Sequence, residues 1–161
     1  MTVVAVDTDE EDLSVTVTAD FRAPVERVWQ LWTDQRRLEK WWGPPTLPAT
    51  FLSHHLVPGG EVRYFMTSPD GETYNGMWRV ADIDPPTSLQ FDDVFTNADG
   101  VPLADVPATR VSIRLIERDG GTRMVMRSQF ESREHLERWL RTGTREGLEQ
   151  AVAQMDELLR R

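Results

Sequence analysis

The chain contains no cysteine. That excludes a disulfide framework, thiolate catalysis and any Cys-ligated zinc or iron–sulfur site. It fits a reducing, cytoplasmic location best. Positive charge is also short: 18 Lys and Arg stand against 27 Asp and Glu, a net charge of −9, and the bases are scattered. Duplex binding needs clustered cations to displace counterions from phosphate. Neither nucleic acid nor an anionic membrane surface is therefore an expected partner. No apolar run approaches the length of a membrane span. Met1 to Asp12 has only four apolar residues in a row, Val3 to Val6, and five acids (Asp7, Asp9, Glu10, Glu11, Asp12) without a base. It reads as a flexible acidic lead-in, not a secretory signal.

Chemical motifs are missing too. There is no P-loop, no Gly-x-Gly-x-x-Gly and no Gly-x-Ser-x-Gly. The adjacent His54 and His55 point to opposite faces of an extended segment, and His135 stands far away in sequence. No metal and no cofactor are expected. With 161 residues, 39% of them apolar, and no repeat or linker, one folded unit over 13–161 is expected.

What is there is periodic. Leu13, Val15 and Val17 alternate with Ser14, Thr16 and Thr18, a strand with one buried face. Val25, Val28, Trp29 and Trp32 follow Pro24 at helical spacing. Thr33-Asp34 offers a new N-cap before Leu38, Trp41 and Trp42, and Gly43-Pro44-Pro45 ends that segment. Two short helices over 24–42 are predicted. Strands follow over 61–67, 72–83, 88–96, 110–117 and 122–130, separated by turn signals such as Ser68-Pro69-Asp70-Gly71 and Asp119-Gly120-Gly121. The last 30 residues lack proline and carry an amphipathic stripe from Leu136 to Leu159, with a break allowed near Thr142-Gly143-Thr144. Strands in series with helices segregated to the ends predict an α+β fold.

Candidate chemistry is thin. Asp92 and Asp93 sit beside Phe91 and Phe95; one pointing into an apolar cavity would have a raised pKa. A strand end at the rim is the preferred account of the pair. His55 is a further weak candidate for proton transfer. The aromatics say more. Four of six tryptophans, Trp29, Trp32, Trp41 and Trp42, fall within one short stretch. They must meet the sheet or line something. Soft methionines and two glycines in the last helix suit a cavity between helix and sheet; a solid core has the same composition.

Phe21-Arg22-Ala23-Pro24-Val25-Glu26-Arg27-Val28-Trp29, then Leu31-Trp32-Thr33-Asp34, then Leu38-x-x-Trp41-Trp42-Gly43-Pro44 resembles the opening of the START-like (SRPBCC) superfamily. The branch it is similar to is the one named for the activator of the ninety-kilodalton heat-shock protein's ATPase. Pro58-Gly59-Gly60, Met66-x-x-Pro69-Asp70-Gly71, Ile83-x-Pro85-Pro86 and Gly143-x-x-x-Gly147 resemble its later landmarks. Leu148 departs from the pattern, where many relatives carry Trp. The resemblance implies a helix-grip fold, a curved antiparallel sheet around a long C-terminal helix, with two short helices after the first strand. It also implies an internal cavity, although function does not follow from fold.

The resulting expectation is a binding module for a small hydrophobic molecule, with aromatic and polyketide-like compounds as candidates. Trp32 and Trp42 would guard the entrance, and Phe91 and Phe95 would line a wall. Gly143 and Gly147 would let the ligand approach the helix backbone. Met126 and Met155 complete the lining. The inward parity of two strands stays open, so Phe65 and Met66, and Met77 and Trp78, are all candidates. Alternatives are a cofactor-free cyclase or hydrolase using Asp92, Asp93 or His55, and a chaperone-activator-like partner module. Self-pairing as a homodimer is left open.

Overall fold

The computed structural model of the chain describes residues 3–141 and 144–160. Its strands are β1 (Val3–Asp9), β2 (Ser14–Phe21), β3 (Ala49–Phe51), β4 (Glu61–Thr67), β5 (Thr73–Asp84), β6 (Ser88–Thr96), β7 (Thr109–Arg118) and β8 (Gly121–Gln129). The helices are α1 (Val25–Thr33), α2 (Gln35–Glu39), α3 (Arg133–Arg141) and α4 (Thr144–Leu159). The strands make one antiparallel sheet in the order β1-β2-β8-β7-β6-β5-β4-β3. This is the expected α+β, helix-grip arrangement.

Register fixes which side chains face inward, because directly paired residues share a face. Val17 pairs with Met126 and Met126 with Ile113. Ile113 pairs with Leu89, and Val111 with Phe91. Trp78 pairs with Asp93, and Val62 with Trp78. These residues form the concave face. With Val28, Leu31 and Trp32 of α1 and Ala151, Val152 and Met155 of α4, all its apolar members belong to one buried core. The convex face carries the arginines, where Arg123 forks onto Asp20 at 2.8 and 2.9 Å and Arg127 meets Asp12. A smaller cluster of Val15, Phe130 and Leu136 seats α3.

Two expectations change. The acidic start is not a free lead-in: Val3–Asp9 is a strand paired along β2. Backbone pairing needs no apolar side chains, so an edge strand can be acidic on its outer face. Second, Ala49–Phe51 adds a three-residue edge strand. Its outer side is satisfied by α2, where Glu39 Oε2 accepts the Phe51 N–H at 2.8 Å and Gln35 Nε2 donates to the Phe51 carbonyl at 2.8 Å. Residues i and i+4 on one helical turn thus cover a sheet edge. The C-terminal stripe is carried by two helices, α3 and α4, which part where the sequence allowed a break. Gly143, between them, lies outside the described residues. What approaches Gly147 is Pro44, whose Cγ would stand 3.6 Å from an added Cβ.

Gln154 ties α4 to the loop after α2, donating to the Gly43 carbonyl at 2.7 Å and the Trp41 carbonyl at 3.2 Å. Gly43 takes φ +87°, a conformation that turns the chain there and favours glycine. Gln154→Ala leaves both part-buried carbonyls without that donor. We expect a loss of roughly 1–2 kcal/mol, read as a Tm lower by roughly 3–8 °C in a thermal melt. An unchanged Tm would mean water replaces the amide.

Candidate functional site

The interior is organised around the carboxyl end of α1. A helix leaves its last carbonyls without intrahelical partners. Here the Gln30 carbonyl accepts the Asp34 N–H at 2.9 Å. The Leu31 carbonyl accepts the Trp41 indole N–H at 2.7 Å. The Trp32 carbonyl meets His54 Nε2 at 3.2 Å. Burial pushes the His54 pKa down, offset partly by that hydrogen bond, so a neutral ring acting as a cap is its natural state. Asp34 in turn caps α2, accepting from the Arg36 and Arg37 N–H groups.

These caps bring together rings that are distant in sequence. Trp32 meets Trp41 edge-on with centroids 4.6 Å apart, and Trp78 stacks on Phe91 at 4.1 Å and 14°. Trp42 contacts Trp32, Trp78 and Tyr64 at 6.2, 4.9 and 5.8 Å. Trp32, Trp41, Trp78 and Phe91 are fully buried, whereas Trp42 keeps some exposed surface. Rings this close leave no space for a further ring between Trp32, Trp78 and Phe91. Phe91 therefore lies beneath Trp78 instead of forming an open wall.

Polar groups interrupt this apolar interior. The indole N–H groups of Trp32, Trp42 and Trp78 are buried and have no hydrogen-bond partner. Tyr64 donates to Asp93 Oδ1 at 2.8 Å. It reaches Asp93 by crossing β5 at Gly76, where an added Cβ would overlap the Tyr64 ring. Asp93 is half-buried as a residue, but its carboxyl is enclosed by protein. Burial raises its pKa from 3.8 to about 7, and the Tyr64 hydrogen bond opposes the shift. Tyr64 is itself pushed well above its ordinary value, by burial first and by the Asp93 charge second. The Trp42 indole favours the Tyr64 anion from nearby without the geometry of a hydrogen bond. Near neutrality Asp93 gains or loses its proton while Tyr64 keeps its own.

Of the residues singled out in the sequence, Trp32, Trp78, Phe91, Met126 and Met155 belong to the interior cluster, and Trp42 and Met66 pack against it. Phe65 and Met77 do not: each has odd parity and faces the convex side, opposite Tyr64 and Trp78. Met77 is nevertheless buried there, which is why composition could not fix the parity. Phe95 shares the concave face but is 53% exposed, at its rim. Asp92 faces outward and pairs with Arg110. His55 is exposed in the loop before β4. Tyr64, Gly76 and the His54 cap were not anticipated. For Asp93 the signal was available, since it shares the parity of Phe91 and Phe95.

A separate cleft of about 770 Å³ runs along the outer side of β1 and β2, lined by acids from Asp7 to Asp12 and by Arg127. Among the described residues, no group of three or more acidic, His or Cys side chains is placed to hold a metal. Nor is any helix among them long and apolar enough to cross a membrane.

A family model described as Activator of Hsp90 ATPase homolog 1-like protein matches residues 22–160. The crystal structure of protein Ms6760 from Mycobacterium smegmatis is 45% identical over 98% of this chain and 96% of that one, with a TM-score of 0.90. A solution structure of a protein from Arthrobacter aurescens is 43% identical, covers 98% and 92% of the two chains, and has a TM-score of 0.94. The AHSA1 protein from Silicibacter pomeroyi shares the fold at 19% identity, covering 91% and 96%, with a TM-score of 0.73. No curated protein matches the sequence.

Asp93 gives stability a definite pH dependence. Its carboxyl binds a proton more tightly folded, at about 7, than unfolded, near 3.8. The stabilisation is therefore full below pH 3.8 and is lost as pH rises through 7, at most on the order of 4 kcal/mol. Asp93→Asn stays neutral. Chemical denaturation from pH 5 to pH 8.5 should show the variant gaining on the parent as pH rises. Parallel profiles would place a charged carboxylate there throughout.

Proposed function

The chain belongs to the family of activator of Hsp90 ATPase homolog 1-like proteins, and from that footing we propose that it is a binding domain for a small hydrophobic molecule. The site we propose lies at the open end of the concave face, bounded by Trp42, Tyr64, Met66, Trp78, Asp93 and Phe95. The observation that carries this reading is a gradient along one face of β6. Phe91 is fully buried, Asp93 is half-buried and Phe95 is 53% exposed. An exposed phenylalanine on the face that elsewhere forms the core means that the core is uncovered there. Tyr74, on the same face of β5 as the register partner of Met66, is also exposed.

The same end of the site has movable parts. Met66 is flexible and only partly buried, and Trp42 is carried on the loop after α2, not on the sheet. A ligand would displace these two and rest against Tyr64 and Trp78. The cyclase or hydrolase alternative is less well supported. Asp92 is paired on the outer face and His55 is exposed in a loop. Asp93 remains as the only one of the three candidates at the site, already bonded to Tyr64.

A neutral naphthalene dye that carries a carbonyl, 6-propionyl-2-dimethylaminonaphthalene, tests the reading by fluorescence titration. The chain should enhance dye emission saturably. Phe95→Glu, at an exposed position, should weaken binding about tenfold and leave the Tm nearly unchanged. Dye binding that is absent, or indifferent to Phe95, would overturn the proposed site.

A further inference from the structure

We infer that the ligand carries acceptor oxygens, such as a carbonyl, on its hydrophobic body, and that the indole N–H groups of Trp42 and Trp78 recognise them. The inference rests on the binding reading above and adds the chemical class of the ligand. An indole nitrogen donates and cannot accept. Three tryptophans in mutual contact, 4.9–6.2 Å between centroids, therefore cannot serve one another. The surrounding Phe51, Phe91 and Trp41 side chains have no acceptor to offer. The oxygen-bearing neighbours, Asp93 and Tyr64, keep acceptor lone pairs beyond their mutual bond, but neither meets any of the three indoles with hydrogen-bond geometry.

Trp41, in the same cluster, shows the contrast. Its N–H is buried too, and the Leu31 carbonyl accepts it at 2.7 Å. The fold thus supplies an acceptor to one indole and none to the three beside it, which are the buried side-chain polar atoms without a partner among the described residues. A buried donor left unpaired costs more than an ordinary hydrogen bond gains. A hydrocarbon entering beside Trp42 and Trp78 would leave these buried donors unpaired. A carbonyl oxygen has two lone pairs and could take two of them. A site whose buried donors need an acceptor rejects the analogue lacking one, and this asymmetry is larger than size alone can give.

The test uses a matched pair, 2-acetylnaphthalene and 2-ethylnaphthalene, which differ by a carbonyl in place of a methylene. Each is titrated into the uniformly 15N-labelled full chain, and the six indole N–H cross-peaks are followed by NMR. The ketone should bind about tenfold more tightly than the hydrocarbon. It should move the Trp42 and Trp78 indole protons downfield and leave the bonded Trp41 proton in place. Equal affinities with equal indole shifts would overturn the inference and spare the site, because water would then already serve the donors. Preference for the ketone without those downfield shifts would also overturn it. No binding and no indole shift with either probe would remove the site itself.

Discussion

Trp32 holds the interior together. It sits on α1, fully buried, and its ring touches Trp41, Trp42, Trp78 and Phe91. It thereby joins the two short helices to β5 and β6. Its backbone carries a second attachment, because its carbonyl takes His54 from the loop before β4. Side chain and main chain of one residue therefore bind the helices to both the sheet and its connecting loop. Truncating a buried ring of this size costs about 3–5 kcal/mol in a packed core, and here the cap contacts would shift with it. The helices are too short to be stable alone. They exist because this ring gives them a surface to pack on.

That dependence explains why so much of the fold could be read from the sequence. Helical spacing of Val28 and Trp32, the cap at Asp34, and the alternation from Val111 to Leu115 each state a local rule that the structure obeys. What could not be read lies where side-chain pattern and backbone pairing part company. Strand β1 mixes apolar and acidic residues without a clean alternation; it pairs along β2, and its Val6 packs against the core. Strand β3 is three residues long, and its edge is satisfied by Gln35 and Glu39 of a helix. Strand β5 has apolar residues on both faces, so Met77 and Trp78 were equivalent until register separated them.

The candidate site divides in the same way. Its apolar members follow from composition and parity. Its polar members depend on geometry across strands. Tyr64 reaches Asp93 only because Gly76, on the strand between them, has no side chain to stop it. No local pattern in β4 or β6 announces this. The effect on Asp93 is electrostatic as well as steric: an enclosed carboxyl with one hydroxyl partner holds its proton to about pH 7, whereas the adjacent Asp92, turned outward, lies against an arginine. Two consecutive aspartates thus have opposite environments because a strand alternates its faces.

The order of exposure along β6 then marks where the proposed site lies within the fold. Leu89 and Phe91 lie under the helices, Asp93 stands at the margin, and Phe95 projects beyond it. Pairing with β7 ends at Asp93. Beyond that point the 100–103 loop takes the neighbouring position, with the Leu103 N–H donating to the Phe95 carbonyl at 2.9 Å and a bridge between Thr96 and Pro102. The backbone of β6 is thereby satisfied on that side while the face above it stays uncovered. Closing that face with a helix would bury Phe95 and strengthen the core. The strand instead continues past its cover, carrying an enclosed carboxyl and then an exposed ring, next to three indoles that the fold has left without acceptors. Burial that favours stability gives way here to exposure that favours access, and the change occurs within two residues of one strand.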